Sequence, residues 1–236
     1  MSQRNTTETA KRMAGVQAAQ MAKSGWVIGL GTGSTAYYAV EELGRLMRED
    51  GLLITGIPTS NAAELQARAI GIPIKTLNDI ERIDLAIDGA DQVDGGKNLI
   101  KGLGGAHTRE KIVASFAEVF VVVVDESKMA SQLGIGVPVP LEVIPLAVPA
   151  VNRRVGQLGG QAELRMAYPG QAHSGPFITD QGNFLMDASF GGIADPISME
   201  RDLNLIPGVV DNGLFPQIAR TILVGSTTDG SVRMID

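Results

Sequence analysis

The sequence contains no cysteine and only two histidines, His107 and His173, among its 236 residues. Disulfides, thiolate nucleophiles and Cys-ligated zinc or iron–sulfur centres are thereby excluded, and a His-rich metal site or His-dependent relay has too few members. Long apolar runs are missing as well. The longest, residues 119–124, falls far short of the roughly 20 residues a membrane span requires. Nor is there an excess of positive charge. Lys and Arg number 20 against 26 Asp and Glu, a net charge of −6 with a pI of about 5.0, so no basic footprint for nucleic acid or an anionic membrane is present. Residues 1–12 are polar and lack the apolar core of a signal peptide, and the expectation is a soluble, cytoplasmic protein. What is present is ordinary for a globular chain: 44% hydrophobic and 19% charged residues supply a substantial core for one large or two smaller domains. Glycine is plentiful at 29 residues, gathered in short loops of the kind that bring backbone close to a ligand.

Residues 84–111, DLAIDGADQVDGGKNLIKGLGGAHTREK, carry the densest chemistry. A short apolar run bounded by polar residues reads as a buried strand over 83–87. It stops at Asp88, and a carboxylate just past a strand's C-terminal end is where open α/β sheets place their ligands. Asp91 follows, then the turn Asp94-Gly95-Gly96, Lys101 in a glycine-rich loop, and Glu110 opening a helix.

The flanking chain alternates strand and helix: helix 7–23, strand 26–30, loop 31–35, helix 36–49, strand 52–57, a helix through Ile70 capped by Ser60 or Asn61, a third short strand or extended segment 72–77, strand 83–87, helix 108–117 and strand 119–125. That alternation predicts a parallel sheet covered by helices on both faces. Four prolines within 134–149 mark a boundary. Beyond it the order β-α-β-β-α-β, with a hairpin about Asp180-Gln181-Gly182-Asn183, is that of a ferredoxin-like split βαβ module. The fold class is therefore α/β: a Rossmann-like parallel-sheet domain, residues 1–132 and 214–236, plus a smaller ferredoxin-like α+β domain, residues 133–213.

Gly29-Leu30-Gly31-Thr32-Gly33-Ser34-Thr35 sits between a strand and a helix. Backbone N–H groups, the helix N-terminus and the hydroxyls make a phosphate cradle there. Gly31-x-Gly33-x-x-Ala36 also fits a relaxed dinucleotide fingerprint, which would make the chain a nicotinamide-dependent dehydrogenase, but the next strand ends Pro58-Thr59-Ser60 without the acidic residue that holds a ribose hydroxyl. The hydroxyls of Ser34 and Thr35 favour a small phosphate ester. Asp88 and Asp91 read as carboxylates facing a polyhydroxy ligand, whereas Asp94 reads as a turn residue. Asp91, Asp94 and Gly95 do not fit a calcium loop. Glu110 serves equally well as a first-turn dipole partner or as a catalytic group. Lys101 follows the apolar pair Leu99-Ile100 and opens a glycine-rich loop, and Lys128 follows a strand end, so both are candidate substrate contacts. His107 reads as a loop residue, and the nine methionines as core filler.

The ordered set Gly31-Thr32-Gly33-Ser34-Thr35, Asp88-Gly89-Ala90-Asp91, Lys101-Gly102-x-Gly104 with Thr108-Arg109-Glu110-Lys111, and Pro207-Gly208-Val209-Val210-x-x-Gly213-Leu214-Phe215 resembles the type A ribose-5-phosphate isomerases over nearly the whole chain. The resemblance implies interconversion of D-ribose 5-phosphate and D-ribulose 5-phosphate through an enediolate, in the pentose phosphate pathway, with no metal or organic cofactor. It implies that Glu110 is the proton-transfer base and that Asp88, Asp91 and Lys101 are the other catalytic groups. Substrate contacts would come from Thr32, Gly33, Ser34, Thr35, Asp88, Gly89, Ala90, Asp91, Lys101, Gly102, Leu103, Gly104 and Lys128, with Lys11 at a phosphate-contacting position. It implies a homodimer that binds a small-molecule sugar phosphate, with no nucleic-acid or membrane partner expected. One departure is Leu103, where the family commonly has glycine. A non-catalytic sugar-phosphate sensor is the alternative from a different class, and the lack of a basic helix counts against it.

Overall fold

Short apolar segments ended by turn residues become strands, and amphipathic segments become the helices that cover them. The computed structural model describes residues 3–167 and 175–236; His173 lies outside them. In chain order the first elements are α1 (Gln3–Ala19), β1 (Val27–Leu30), α2 (Ser34–Glu49), β2 (Thr55–Pro58), α3 (Asn61–Ile70), β3 (Leu85–Gly89), β4 (Gln92–Val93), β5 (Leu99–Ile100), α4 (His107–Ser115) and β6 (Phe120–Asp125). There follow β7 (Val139–Val143), α5 (Val148–Gln157), β8 (Gln161–Leu164), β9 (Met166–Ala167), β10 (Gly175–Pro176), β11 (Phe184–Ser189), α6 (Pro196–Asn204), β12 (Val209–Asn212), β13 (Leu214–Phe215), β14 (Thr221–Gly225) and β15 (Val232–Ile235).

The chain divides into two units. The first comprises Met1–Ala90, Arg109–Met129 and Ile218–Asp236. Its sheet has the order β15-β14-β6-β3-β1-β2, parallel except for the antiparallel edge strand β15. Among the five parallel strands, the second and third in sequence both flank or follow β1 on opposite sides, so the direction of winding reverses between β1 and β3. Connections leave these two strands toward opposite faces, which opens a crevice beyond their C-terminal ends. Side chains alternate along each strand. Ile28, Leu30, Leu85, Ile87, Val121 and Val123 face Ala14, Ala18, Ala39, Val40 and Leu43 of α1 and α2, while Gly29 faces Val113 of α4. Every residue of β6 is buried, as a strand covered on both faces requires.

Three local readings change. The strand expected over 83–87 runs on to Gly89, so Asp88 is a residue of β3 rather than one just past its end. The helix after β1 starts at Ser34 rather than Ala36, so the Ser34 and Thr35 hydroxyls belong to its first turn. The segment 72–77 contributes only a bridge between Gly56 and Ile74. It then winds into a 3₁₀ turn, because the Asp79 carboxylate accepts from both the Thr76 N–H (3.0 Å) and its hydroxyl (2.7 Å).

The second unit comprises Asp91–Thr108 and Ala130–Gln217. Its four-stranded sheet, β12-β7-β11-β8, is antiparallel throughout and is accompanied by α5 and α6 in the split βαβ order. Leu141, Val143, Val151, Val155, Met186, Ala188 and Leu203 form its core. α6 starts where Asp195 accepts from the Ile197 and Ser198 N–H groups and Pro196 takes the first helical position, a local signal that needs nothing from the tertiary fold. A small sheet, β13-β5-β4, belongs to this unit too. Leu99 and Ile100 pair with Phe215 and Leu214, and residues 91–108, 130–132 and 214–217 all fall in the second unit, whereas the sequence alone assigned them to the first.

Candidate active site

The first unit places its functional groups at the C-terminal ends of the parallel strands. The loop after β1 is fixed by its neighbour strand. Gly31 N–H donates to the Ile87 carbonyl at 2.9 Å, and Asp88 Oδ1 accepts from the Thr32 N–H at 3.0 Å and the Gly89 N–H at 2.7 Å. A Cβ on residue 31 would lie 2.3 Å from Asp88 Oδ1 and 2.5 Å from the Ile87 carbonyl oxygen. Glycine is therefore required here by the carboxylate beside it, and Asp88 and the phosphate-cradle motif form one structure. Asp88 itself is only 3% exposed.

Thr32 ties this loop to the end of β2. Its hydroxyl lies 2.9 Å from the Thr59 hydroxyl and donates to Ser60 Oγ at 2.7 Å. Thr59 Oγ1 donates to the Leu30 carbonyl at 3.0 Å, and Ser60 Oγ caps α3 by accepting from the Ala63 N–H at 3.0 Å. The acidic ribose-binding residue of a dinucleotide site is thus replaced by a hydroxyl cluster. Sequence reasoning noted Thr59 and Ser60 as the place of a missing acid, and Ser60 as a candidate helix cap, but not as site hydroxyls; their hydroxyl character, next to a hydroxyl-rich first loop, was the available signal. At the start of α2, Gly33 is the cap residue (φ 106°) and no side chain caps the helix. Its first N–H groups are thus free of a competing side-chain oxygen, as an incoming anion requires. A cavity of about 440 Å³ adjoins this loop, bordered by Thr32, Ser34, Glu8, Tyr38 and Gln66. Glu8 accepts from Lys11 Nζ at 3.0 Å and from the Tyr38 hydroxyl at 2.7 Å. That hydrogen bond to a carboxylate is the main cause that holds the Tyr38 phenol above its ordinary pKa.

Glu110 lies in the first turn of α4 and is 5% exposed. Glu118 N–H donates to the Ile83 carbonyl just before β3, so α4 ends near the N-terminal side of the sheet and runs back from the opposite side. Glu110 precedes the last residue of α4, Ser115, by five positions, which at about 1.5 Å each puts it roughly 8 Å nearer the C-terminal ends. Lys128 ends the 3₁₀ turn Glu126–Lys128 after β6, whose cap is the Asp125 carboxylate accepting from the Ser127 N–H at 3.0 Å. Gly89 and Ala90 continue directly from Asp88.

The second unit holds the other candidates. Asp91 N–H donates to the Ile100 carbonyl (2.8 Å), and Asp91 Oδ2 accepts from the Leu103 N–H (2.9 Å). Lys101 is 2% exposed. Its N–H donates to the Gly213 carbonyl at 2.9 Å, and its ammonium lies 5.4 Å from the centre of the Phe215 ring, a cation–π position. Gly102, Leu103 and Gly104 form the turn that Gly105 N–H closes on the Gly102 carbonyl at 2.9 Å. Leu103 has no positive φ and is 41% exposed, so leucine fits the loop without strain. Asp94 is the turn residue expected: it accepts from the Gly96 and Asn98 N–H groups at 2.9 and 2.8 Å. His107 is not a loop residue. It is the first residue of α4, 0% exposed, with Nε2 3.2 Å from the Asp211 carbonyl. Among the described residues no group of three or more His, Asp or Glu is gathered as a metal site.

Residues 55–229 match the family model of ribose 5-phosphate isomerase A, phosphoriboisomerase A. The chain belongs to the ribose 5-phosphate isomerase A family. It is 52% identical to the ribose-5-phosphate isomerase A of Thermosynechococcus vestitus, over 93% of this chain and 92% of that one. It is 47% identical to that of Thermococcus kodakarensis, over 96% and 98%. Among solved structures, the ribose 5-phosphate isomerase A of Methanocaldococcus jannaschii superposes with a TM-score of 0.91 at 44% identity, covering 98% and 99% of the two chains. A D-ribose-5-phosphate isomerase in complex with phospho-erythronic acid superposes at 0.93, with 43% identity over the full length of both. The Rossmann-like sheet and the split βαβ unit are therefore those of a ribose 5-phosphate isomerase A, and a non-catalytic sensor is not favoured.

Proposed function

We propose that the chain interconverts D-ribose 5-phosphate and D-ribulose 5-phosphate with Glu110 as base, Lys101 as oxyanion stabiliser, and Asp88 and Asp91 managing the hydroxyl protons. The observation that carries this reading is the joining of the Asp88 carboxylate to the hydroxyl-rich loop after β1, where the winding of the sheet reverses. That arrangement offers a phosphate cradle and a hydroxyl acceptor to one ligand, within the family whose members are isomerases of ribose 5-phosphate.

The chemistry follows from the substrate. In open-chain ribose 5-phosphate the C2 proton is acidic only through the neighbouring C1 carbonyl. Glu110 takes that proton, the electron pair forms the C1–C2 double bond, and negative charge develops on O1. An ammonium such as that of Lys101 stabilises the developing charge by on the order of 3 kcal/mol. Glu110 then returns its proton to C1, while the O2 proton leaves and O1 gains one. A carboxylate able to hold a hydroxyl proton serves that exchange, and Asp88 and Asp91 lie three residues apart on the chain. A base placed this way contributes roughly 10²–10⁴-fold. Residues 32–35 would hold the phosphate, with Lys128 and Lys11 as further cationic contacts, and Gly89, Ala90, Gly102, Leu103 and Gly104 would supply backbone contacts. Phosphate binding holds the reacting end in place for the chemical step. The phosphorylated four-carbon acid bound by a relative carries a planar carboxylate where the enediolate has its two oxygens, and such an acid should compete with substrate here.

The chain is an isomerase by family. The finer reading adds a homodimer, a cytoplasmic setting and no nucleic-acid or membrane partner. The net charge of −6 supports the last point, and among the described residues no helix is long and apolar enough to cross a membrane. Sedimentation of the purified protein tests the dimer. The test of mechanism is Glu110→Gln, which keeps size and hydrogen bonding but not basicity. The variant should stay folded and bind substrate while kcat falls by about 10²-fold or more, and wild-type turnover in deuterated water should place deuterium on the transferred carbon. A folded variant with near wild-type kcat would remove Glu110 as the base and leave Asp88 as the next candidate.

A further inference from the structure

Arg165 belongs to none of the motifs above, yet it grips the loop that carries the second unit's candidate groups. Its Nη1 donates to the Leu103 carbonyl at 2.7 Å. Its Nε donates to Asp187 Oδ2 at 2.7 Å, and its Nη2 pairs with Asp187 Oδ1. The guanidinium also lies over the Phe177 ring, 5.9 Å from its centre. That ring occupies the space that Gly105 leaves: a Cβ there would come within 2.5 Å of it, at a backbone φ of +82°. Asp187 is a residue of β11, paired with Pro140 of β7 on one side and Glu163 of β8 on the other. The anchor is therefore an interior strand. Main-chain bonds fix the arginine as well: Arg165 N–H donates to the Leu185 carbonyl and the Arg165 carbonyl accepts from the Phe177 N–H, both at 2.8 Å.

Leu103 is thus held at both polar ends, its N–H by Asp91 Oδ2 at 2.9 Å and its carbonyl by Arg165. Glycines at 102, 104 and 105 leave the loop many conformations to lose. Two hydrogen bonds to charged groups select one. We infer that Arg165, locked by Asp187, is a positioning residue for the isomerisation: it fixes the backbone of Leu103 and, through the adjoining peptide N–H, the orientation of the Asp91 carboxylate. A role in binding the substrate phosphate fits less well, because the side chains of Arg165 and Asp187 are only 16% and 26% exposed and neutralise each other. The task also explains the residue type. A planar guanidinium can present two parallel N–H donors to Asp187 and a further one to the carbonyl, whereas a lysine ammonium cannot hold that fork.

The inference rests on the reading of Asp91 as a catalytic group, so the experiment separates the two. Arg165→Lys, Asp187→Asn, Asp91→Asn and the double variant Arg165→Lys/Asp91→Asn are assayed for kcat and KM with ribose 5-phosphate. Arg154→Gln, on the outer face of α5, is the control, and hydrogen exchange is followed in the peptide covering residues 101–106. Expected are folded Arg165→Lys and Asp187→Asn proteins with kcat reduced roughly ten- to a hundredfold, the size of effect that small misplacements of catalytic groups produce. KM should change far less, and loop amides should exchange faster. In the Asp91→Asn background the Arg165→Lys loss should shrink to about twofold or less, since both changes act through one contact. Wild-type turnover and exchange in Arg165→Lys, with Asp91→Asn impaired, overturns the clamp alone. Full activity of Asp91→Asn overturns the catalytic reading beneath it. A loss undiminished in the double variant overturns the route through Asp91. If Arg165→Lys proves unstable, Asp187→Asn, which keeps the arginine, gives the same comparison.

Discussion

Glu142, in the middle strand β7, is the strongest test of how the second unit is held together. It is 0% exposed. One carboxylate oxygen accepts from Thr179 Oγ1 at 2.8 Å and Asn183 Nδ2 at 2.7 Å; the other accepts from Thr108 Oγ1 at 2.5 Å and Gln181 Nε2 at 3.2 Å. Thr108 belongs to the same unit as Glu142, so the carboxylate also ties residues 91–108 to β7. Consider Glu142→Leu. Gln181 is exposed and Asn183 half-buried, and both can turn to water. Thr108 and Thr179, 7% and 5% exposed, cannot. Two buried hydroxyls that lose a charged acceptor cost about 1.5–3 kcal/mol each, partly offset because a carboxylate no longer has to be desolvated. The expected net loss is about 3 kcal/mol, equivalent to roughly a hundredfold change in an opening equilibrium. Glu142→Gln, which still accepts through one oxygen, should lose about half as much. The single tryptophan, Trp26, lies in the first unit, so its fluorescence does not report this event. Hydrogen exchange of the slowest β7 and β11 amides does. Acceleration in Glu142→Leu below about tenfold would show that the carboxylate contributes little and that the donors are satisfied without it.

Gly31→Ala should lose both stability and activity, because the new methyl meets Asp88 Oδ1 and the backbone of Ile87. Such overpacking costs about 1–3 kcal/mol, and a variant with wild-type melting and turnover would refute the contact. Ser34→Ala with Thr35→Ala should raise KM for ribose 5-phosphate more than it lowers kcat, since binding shared by ground and transition states is what it removes; unchanged KM and unchanged inhibition by inorganic phosphate would place the cradle elsewhere. Exhaustive EDTA treatment should leave turnover intact, given a donor set without cysteine and with two histidines, and activity restored only by added magnesium or zinc would contradict this.

Elements defined by local signals were legible in the sequence. A cap for α3 at Ser60 or Asn61 and the apolar run 119–124 that becomes most of β6 each follow from neighbouring residues, and so did the alternation that gave the parallel sheet. What escaped depended on distant partners. Residues 99–100 and 214–215 were apolar enough for either unit; they pair with each other, and both fall in the second. His107 was placed in a loop because nothing local shows the space against Asp211 that buries it. In the site, the types and order of Asp88, Asp91, Lys101 and Glu110 could be read, but not the bond from Thr32 N–H to Asp88, which spans 56 positions. Arg165 gave no local signal: its neighbours in sequence are ordinary strand residues, and its partners are 62 and 22 positions away.

The first unit is assembled from three separate stretches of chain, and its strand β14 pairs with β6. During synthesis β6 emerges first, and at about 5–20 residues per second the intervening chain takes roughly 5–20 s to follow. Throughout that interval Val121, Val122, Val123 and Val124 present an open apolar edge of the kind that recruits other chains. The nascent protein is thus most exposed to aggregation while the second unit is being made. Any mutation that slows the arrival or docking of β14 should lower the yield of soluble enzyme, even if the finished fold is as stable as before.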